Sequence, residues 1–447
     1  MKKAIISLTA LLAITFASCD ILETDPETSL DANTALSDGA SAEAILLGAY
    51  SDLQDPEYYG IEYVLNIDLI SDNARMQGFF DSQLEVDSKN VPFSNLWVES
   101  IWVDIYRVVN SANLLITGVP EIEDDTFTNR DIVLGEAYAI RALAYFDLLR
   151  AFGYHFNTSS EFGVPLLLEP IPDNDFNQIP DLARAGVADT YQQILSDLDS
   201  ALQLLDGYSD NTRMSFWGAL ALRARVHLYQ KNYAAAFNDA NRVIEEGPFS
   251  LVQDLDNLFL TTDTSSESIF DLVFSDQDQS DFYTFVFQRD EYNVDPSLTN
   301  SFEEGDLRRN YIVFQRGSDR SAKYADPNNA NNAKVIRLAE MYLIRSEAAA
   351  MRDDNPNAGL DDLNTIRNRA GLGDIGPFDT MDEYIDALLQ ERRVEFNYEG
   401  KRFFDLVRHD KIGEVLGMEE FRKVFPIPRN ELLITGNLQQ NPGFTNP

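Results

Sequence analysis

Hydrophobic positions along this chain recur mostly at three- and four-residue intervals, the spacing that places them on one face of an α-helix. In VIRLAEMYLIRSEAAA, the residues Val335, Leu338, Ala339, Tyr342, Leu343, Ser346, Ala349 and Ala350 share a face, which predicts a helix presented to a core. A second run begins at Trp217 and passes through Leu220, Ala221, Ala224 and Leu228. It breaks at Gln230-Lys231-Asn232 and resumes with Tyr233, Ala236, Phe237, Ala240, Val243 and Ile244, which predicts a helical hairpin. Another helical pair is expected from AEAILLGAYSDL, starting at Ala42, and from the segment Asn95 to Ile116.

In the 217–244 hairpin the small side chains of Ala224, Ala236 and Ala240 permit close helix approach. Its Ala/Tyr/Phe/Ala spacing resembles a tetratricopeptide repeat, in which hairpins of roughly 34 residues bury their faces against one another. The same local pattern recurs at Ile140-Arg141-Ala142, Leu222-Arg223-Ala224 and Ile344-Arg345-Ser346. The intervals are unequal and far longer than one repeat, so segments are inserted between hairpins, where solenoids usually carry their binding face. The expected fold is all-α, built on helical hairpins with loop and short-strand insertions.

Two regions do not read as helix and are rich in aromatic and amide side chains. One runs from Asp55 to Phe93, and the other from about Pro248 to Asn332. The second contains SIFDLVF and FYTFVFQ, where alternation predicts short strands. A short loop, His155 to Phe162, follows the helix predicted to end near Arg150.

The chain begins Met-Lys-Lys and continues with an uncharged, largely apolar stretch from Ala4 to Ser18, the layout of a secretory signal. It closes on FASC, whose Cys19 is the single cysteine of the chain, so no internal disulfide can form. Small residues before a lone cysteine resemble the lipobox of bacterial lipoproteins, which implies removal of residues 1–18, a lipid on Cys19, and anchoring without a membrane-spanning segment. The 447 residues carry 74 acids against 35 Lys and Arg, a formal charge of −39, which disfavours nucleic acid as a partner. No Gly/Ser- or Pro-rich linker divides the chain, so residues 19–447 are read as one elaborated domain.

The C-terminal third is more specific. The blocks VIRLAEMYLIRSEAA, LNTIRNRAGLG, LLQERRVEFNYEGKRFFDLVR and FPIPRNELLITGNLQQNPGF follow one another in the order and spacing of the SusD/RagB family of outer-membrane nutrient-binding lipoproteins. LGEAYAIRALAYFDLLRAFG with the following GVPLL resembles that family's N-terminal signature. The resemblance implies four tetratricopeptide-like hairpins, an N-terminal half at 19–247, a variable insertion at 248–332 and a C-terminal region at 333–447. It further implies a surface-exposed, lipid-anchored protein of the outer membrane. Such a protein captures oligosaccharide, or in some members peptide, as the lid of a SusC-like TonB-dependent transporter.

A sugar site needs flat apolar faces for the ring and hydrogen-bonding groups for its hydroxyls. By that logic the candidates are Tyr58, Tyr59, Phe79, Phe80, Tyr283, Phe285 and Tyr292, with Asp72, Asn73, Arg75, Arg289 and Asn293 as polar partners. Phe79-Phe80 stands out, because two adjacent rings are not easily both buried in a short polar loop. Trp97, Trp102 and Tyr106 read as packing between hairpins, and the charged run Glu391 to Lys411 as ion pairs at helical spacing. GLGDIG follows a predicted helix and precedes Pro377, so it is no dinucleotide loop. Neither the three histidines nor DQDQSD at Asp276 to Asp281 has the spacing of a metal site. With no nucleophile elbow, phosphate loop or zinc motif, the reading is a binding protein without catalytic residues, cofactor or metal. A glycoside hydrolase, which needs two suitably separated carboxylates, is the contrasting class.

Overall fold

The computed structural model describes residues 36–171 and 183–445. Cys19 and the signal stretch lie outside the described residues. Among the described residues, four antiparallel helix pairs follow one another along the chain. They are α1 (Gly39–Leu53) with α4 (Leu96–Gly118), α5 (Arg130–Phe152) with α6 (Val187–Leu204), α7 (Phe216–Tyr229) with α8 (Tyr233–Glu246), and α9 (Leu338–Asp353) with α10 (Leu360–Arg369). α4 packs on α5, α6 on α7 and α8 on α9, so the pairs stack as in a helical-repeat solenoid.

Local chemistry sets where these helices start. Asp38 caps α1 in a reciprocal box with Ser41, Asn95 accepts from the Val98 amide at 3.0 Å, and Ser215 and Asn232 cap α7 and α8. α5 is buried almost all round, as a central helix of such a stack must be.

The recurring arginine has a structural role that repeats with it. Arg141 of α5 holds Asp197 of α6 through two bonds of 2.8 and 2.7 Å. Arg223 of α7 holds Asp239 of α8 at 2.7 and 2.9 Å. Arg345 of α9 holds Asp362 of α10 at 2.8 and 2.7 Å. Each fork joins the two helices of one hairpin, the planar bidentate geometry that a guanidinium is built for.

The charged run near the C-terminus is structural; Arg408 pairs one turn away with Asp405 at 3.0 Å, but most of the run's other partners are distant in sequence. Glu395 of α11 (Met381–Phe396) is fully buried and accepts from Arg308 at 3.0 Å and from Arg337 and Arg369 at 2.5 Å each. Arg308 also reaches Glu391 and Asp306, Arg337 and Lys323 hold Glu399, and Arg392 holds Asp405. These guanidinium groups hold the Glu395 carboxyl well below the usual carboxylate range despite its burial.

Three local expectations are corrected. The FYTFVFQ segment is not a strand: residues Thr284–Gln288 form a π-helical turn, with the Arg289 amide donating to the Thr284 carbonyl at 2.8 Å. Phe282 and Val286, four apart, are both buried, so the apparent alternation conceals a helical face. The segment 55–93 contains helices after all, α2 (Glu62–Ile70) and α3 (Asp81–Asp87). Every residue of α2 after Glu62 is buried, which erases the polar stripe that would have revealed it. Finally, α9 begins at Leu338, because Ala333–Arg337 forms a strand paired antiparallel with Ser268–Leu272.

Candidate functional site

The two long excursions from the helical stack meet each other. β1 (Ala74–Met76), from the excursion between α1 and α4, pairs antiparallel with β3 (Tyr292–Val294), from the excursion between α8 and α9. Arg75 stands directly opposite Asn293 across this ribbon. The ribbon continues when the Gln77 amide donates to the Glu291 carbonyl at 2.8 Å. Gly78 follows where the chain runs close to its neighbours: a Cβ there would lie 2.3 Å from Met76 Cε and 3.1 Å from Glu291 Cγ.

The turn after Gly78 presents the two phenylalanines. Phe79 is 96% exposed and Phe80 46%, side by side in the short loop between β1 and α3. The Arg289 guanidinium lies over both Phe80, 5.1 Å from its centroid, and Phe285, 4.6 Å from its centroid. Glu291 fixes that guanidinium, accepting from its Nε at 2.9 Å. Tyr283 stacks on Phe287 at 5.3 Å on the same turn.

Beside this platform lies an open cleft of about 490 Å³ lined by Arg75, Gln77, Asp87, Asn293, Phe314 and Asp319. Phe314 is 75% exposed on β4 (Ile312–Gln315), which forms a hairpin with β5 (Ser318–Ser321). The Asn293 side chain is buried, and neither its oxygen nor its nitrogen has a hydrogen-bond partner in the protein.

Other sequence candidates lie deeper. Asp72 pairs with Arg402 at 2.9 Å and Arg393 at 3.2 Å, and Asn73 donates to Asp68 and accepts from Arg393 at 3.1 Å. They tie α2 to the C-terminal region. Tyr292 is fully buried and donates to Asn66 at 3.0 Å. Tyr58 and Tyr59 donate to Asp147 at 2.6 and 2.7 Å, inside the core. Trp97 and Trp102 are buried, edge-on to Phe425 and Phe152. Phe314 was missed by sequence reading, because one phenylalanine between strand-like neighbours carries no sign of exposure. Its signal was Arg316-Gly317, a tight turn that places the flanking strands at a hairpin edge.

Among the described residues, one carboxylate group is tight enough to suggest a cation, Asp55, Glu57 and Asp104. Arg107 already bridges Asp55 at 3.3 Å and Asp104 at 3.0 Å. Hydrogen bonding to Asp55, with burial second, pushes the Glu57 carboxyl up to about 7. No described helix is long and apolar enough to cross a membrane.

A helical-repeat scaffold whose inserted loops, rather than its repeats, carry the exposed aromatic surface defines the class. The chain belongs to the SusD family, whose profile matches residues 173–420; a second profile, described as starch-binding associating with outer membrane, matches residues 21–228. It is 26% identical to the SusD-like protein P38 of Formosa agariphila, over 98% of each chain. To the SusD-like protein P2 of that organism it is 25% identical, over 99% of this chain and 100% of the relative. A SusD superfamily crystal structure from Bacteroides thetaiotaomicron superposes with a TM-score of 0.81 at 24% identity, covering 90% of this chain and 99% of that one. A laminarin-binding SusD-like protein superposes at 0.78 and 24% identity, covering 91% and 100%.

Proposed function

We propose that this protein is a lipoprotein anchored through Cys19 to the outer membrane, which captures glycan on the face formed by Phe79, Phe80, Phe285 and Arg289. It passes the glycan to a SusC-like TonB-dependent transporter and cleaves no bond. The observation that carries the reading is Phe79, an almost fully exposed ring adjoining a second exposed ring. Exposure of large apolar side chains together costs solubility and marks a recognition surface. A sugar ring laid on these faces would find hydroxyl partners in Arg289 and Arg75, with Asn293 buried opposite Arg75 beneath the face. Tyr283 stands at the edge of the platform, while Asp72, Asn73 and Tyr292 support it from beneath.

Family membership, the described association of one matching profile with the outer membrane, and the laminarin-binding neighbour of the same fold all support this reading. A single shallow site of this kind binds in roughly the millimolar to micromolar range, about −4 to −8 kcal/mol. Native affinity electrophoresis in gels containing different polysaccharides tests it, together with a search for new reducing ends. Retardation without cleavage is expected; sustained turnover abolished by one carboxylate substitution would establish a hydrolase instead. Retardation by no glycan, with binding to oligopeptides, would favour a peptide ligand on the same face.

A further inference from the structure

The charges around the face restrict what kind of glycan it takes. A sulfated or uronate-bearing chain needs guanidinium or ammonium groups free to meet it. The cations nearest the face are instead engaged. Arg75 forms an ion pair with Asp295, and Arg289 holds Glu291 at 2.7 Å. Arg316 donates to the carbonyls of Phe287 and Gln288 at 3.2 and 3.1 Å. Arg320 is fully buried against Asp290 and Lys323 is buried against Glu399 at 2.7 Å.

Carboxylates border the same face, Asp87 accepting from the Met76 amide at 3.3 Å and Asp319 from the Thr299 hydroxyl at 2.7 Å, neither paired with a cation among the described residues. Asp87 and Asp319 line the cleft beside Phe314, and Glu291 stands beneath the guanidinium that lies over Phe80 and Phe285. An anionic group arriving at Arg289 meets a carboxylate already in contact with it, and one arriving in the cleft meets two more.

We infer that the ligand of this face is an uncharged glycan, and that sulfated and uronate-rich chains are rejected by the carboxylates that already occupy Arg75 and Arg289. The inference rests on the glycan-capture reading above. In it, Arg289 acts as a stacked donor to hydroxyl groups rather than as an anion receptor, and Glu291 is the residue that sets the preference.

The test uses the full chain and a panel of neutral polysaccharides, an α-glucan, a β-glucan, a mannan and a xylan, each beside its sulfated or carboxymethylated derivative. Affinity electrophoresis is run at low salt and at about 0.15 M, where exposed charges act over roughly 8 Å. The neutral member of at least one pair should be retained, with its charged derivative at least about tenfold weaker. In Glu291→Gln the ratio of charged to neutral binding should rise about tenfold, and in Asp87→Asn it should rise in the same direction. Charged derivatives held as tightly as neutral ones, with a grip that weakens as salt rises, would overturn the inference while leaving glycan capture intact. An unchanged ratio in both variants would overturn it too. Retention of no polysaccharide at all would remove the glycan reading itself, and this inference with it.

Discussion

Replacing Glu395 by Gln keeps the shape of the side chain and removes one charge from the centre of the C-terminal ion cluster. Its carboxylate is fully buried and receives Arg308, Arg337 and Arg369, while its backbone carbonyl receives Arg337 at 2.9 Å and Lys323 at 2.8 Å. The substitution therefore removes the one carboxylate that Arg308, Arg337 and Arg369 all meet, and leaves each of them only its separate contacts with Glu267, Glu391, Glu399 and Asp306. Breaking a buried pair on one side costs about 3–5 kcal/mol. With an unfolding entropy of roughly 2.1 cal/mol/K per residue over about 430 residues, or about 0.9 kcal/mol/K, that loss lowers Tm by roughly 3–5 °C. Thermal unfolding followed by circular dichroism at pH 7 reads the shift. The pH dependence gives a second reading. Because the folded pKa of Glu395 is depressed, its contribution is fully present above the ordinary glutamate pKa, about 4.3, and is lost as pH falls toward the depressed value. The difference between parent and variant should accordingly shrink below about pH 4. A Tm change under about 1 °C at pH 7, or a difference that grows on acidification, would refute the reasoning.

The three repeat-borne Arg–Asp forks differ in burial, with side-chain exposures of 6% and 2% for Arg141–Asp197 against 23% and 12% for Arg223–Asp239. Double-mutant cycles read by urea unfolding should give the buried fork a coupling of about 2–3 kcal/mol and the more exposed one about 1 kcal/mol or less. Burial pushes the Glu62 carboxyl up to about 7. The folded state therefore holds a proton that the unfolded chain has released, so stability falls as pH rises from about 4.5 to 7. Glu62→Gln should match the parent near pH 5 and melt higher than it at pH 8, as differential scanning fluorimetry would show. Cys19→Ala should move the protein from the membrane to the soluble fraction while leaving glycan retardation unchanged.

The helical stack was legible where one face is polar. α8 carries the three- and four-residue rhythm because solvent lies on one side of it, whereas α7 and α9 are buried nearly all round with only a few half-buried positions such as Arg223 and Arg345, and α2 shows no rhythm because no side of it after Glu62 meets solvent. The arginine of each repeat was visible, but its aspartate partner was not, since the fork closes between helices 16 to 56 residues apart. The same limit applied to the run from Glu391 to Lys411. Mixed charges one turn apart suggested local pairs, of which Arg408–Asp405 forms, whereas burial selected for the others partners such as Arg308, 83 residues from Glu391. At the candidate site, the adjacency of Phe79 and Phe80 announced exposure directly. Tyr58, Tyr59 and Tyr292 carry the same aromatic chemistry, yet their hydroxyls are satisfied by Asp147 and Asn66, internal acceptors that composition cannot reveal. The meeting of β1 and β3, which brings Arg75 opposite Asn293, depends on register between segments more than two hundred residues apart and left no local trace.

Glycan capture on this face depends most directly on the exposed Phe79 ring. Phe79 has almost no packing to lose, so Phe79→Ala should leave Tm within about 1 °C of the parent. In affinity electrophoresis against a polysaccharide that retards the parent, the same variant should bind about tenfold more weakly, a loss of about 1.4 kcal/mol. Undiminished retardation by a correctly folded Phe79→Ala, Phe80→Ala double variant would contradict the placement of the glycan on this face.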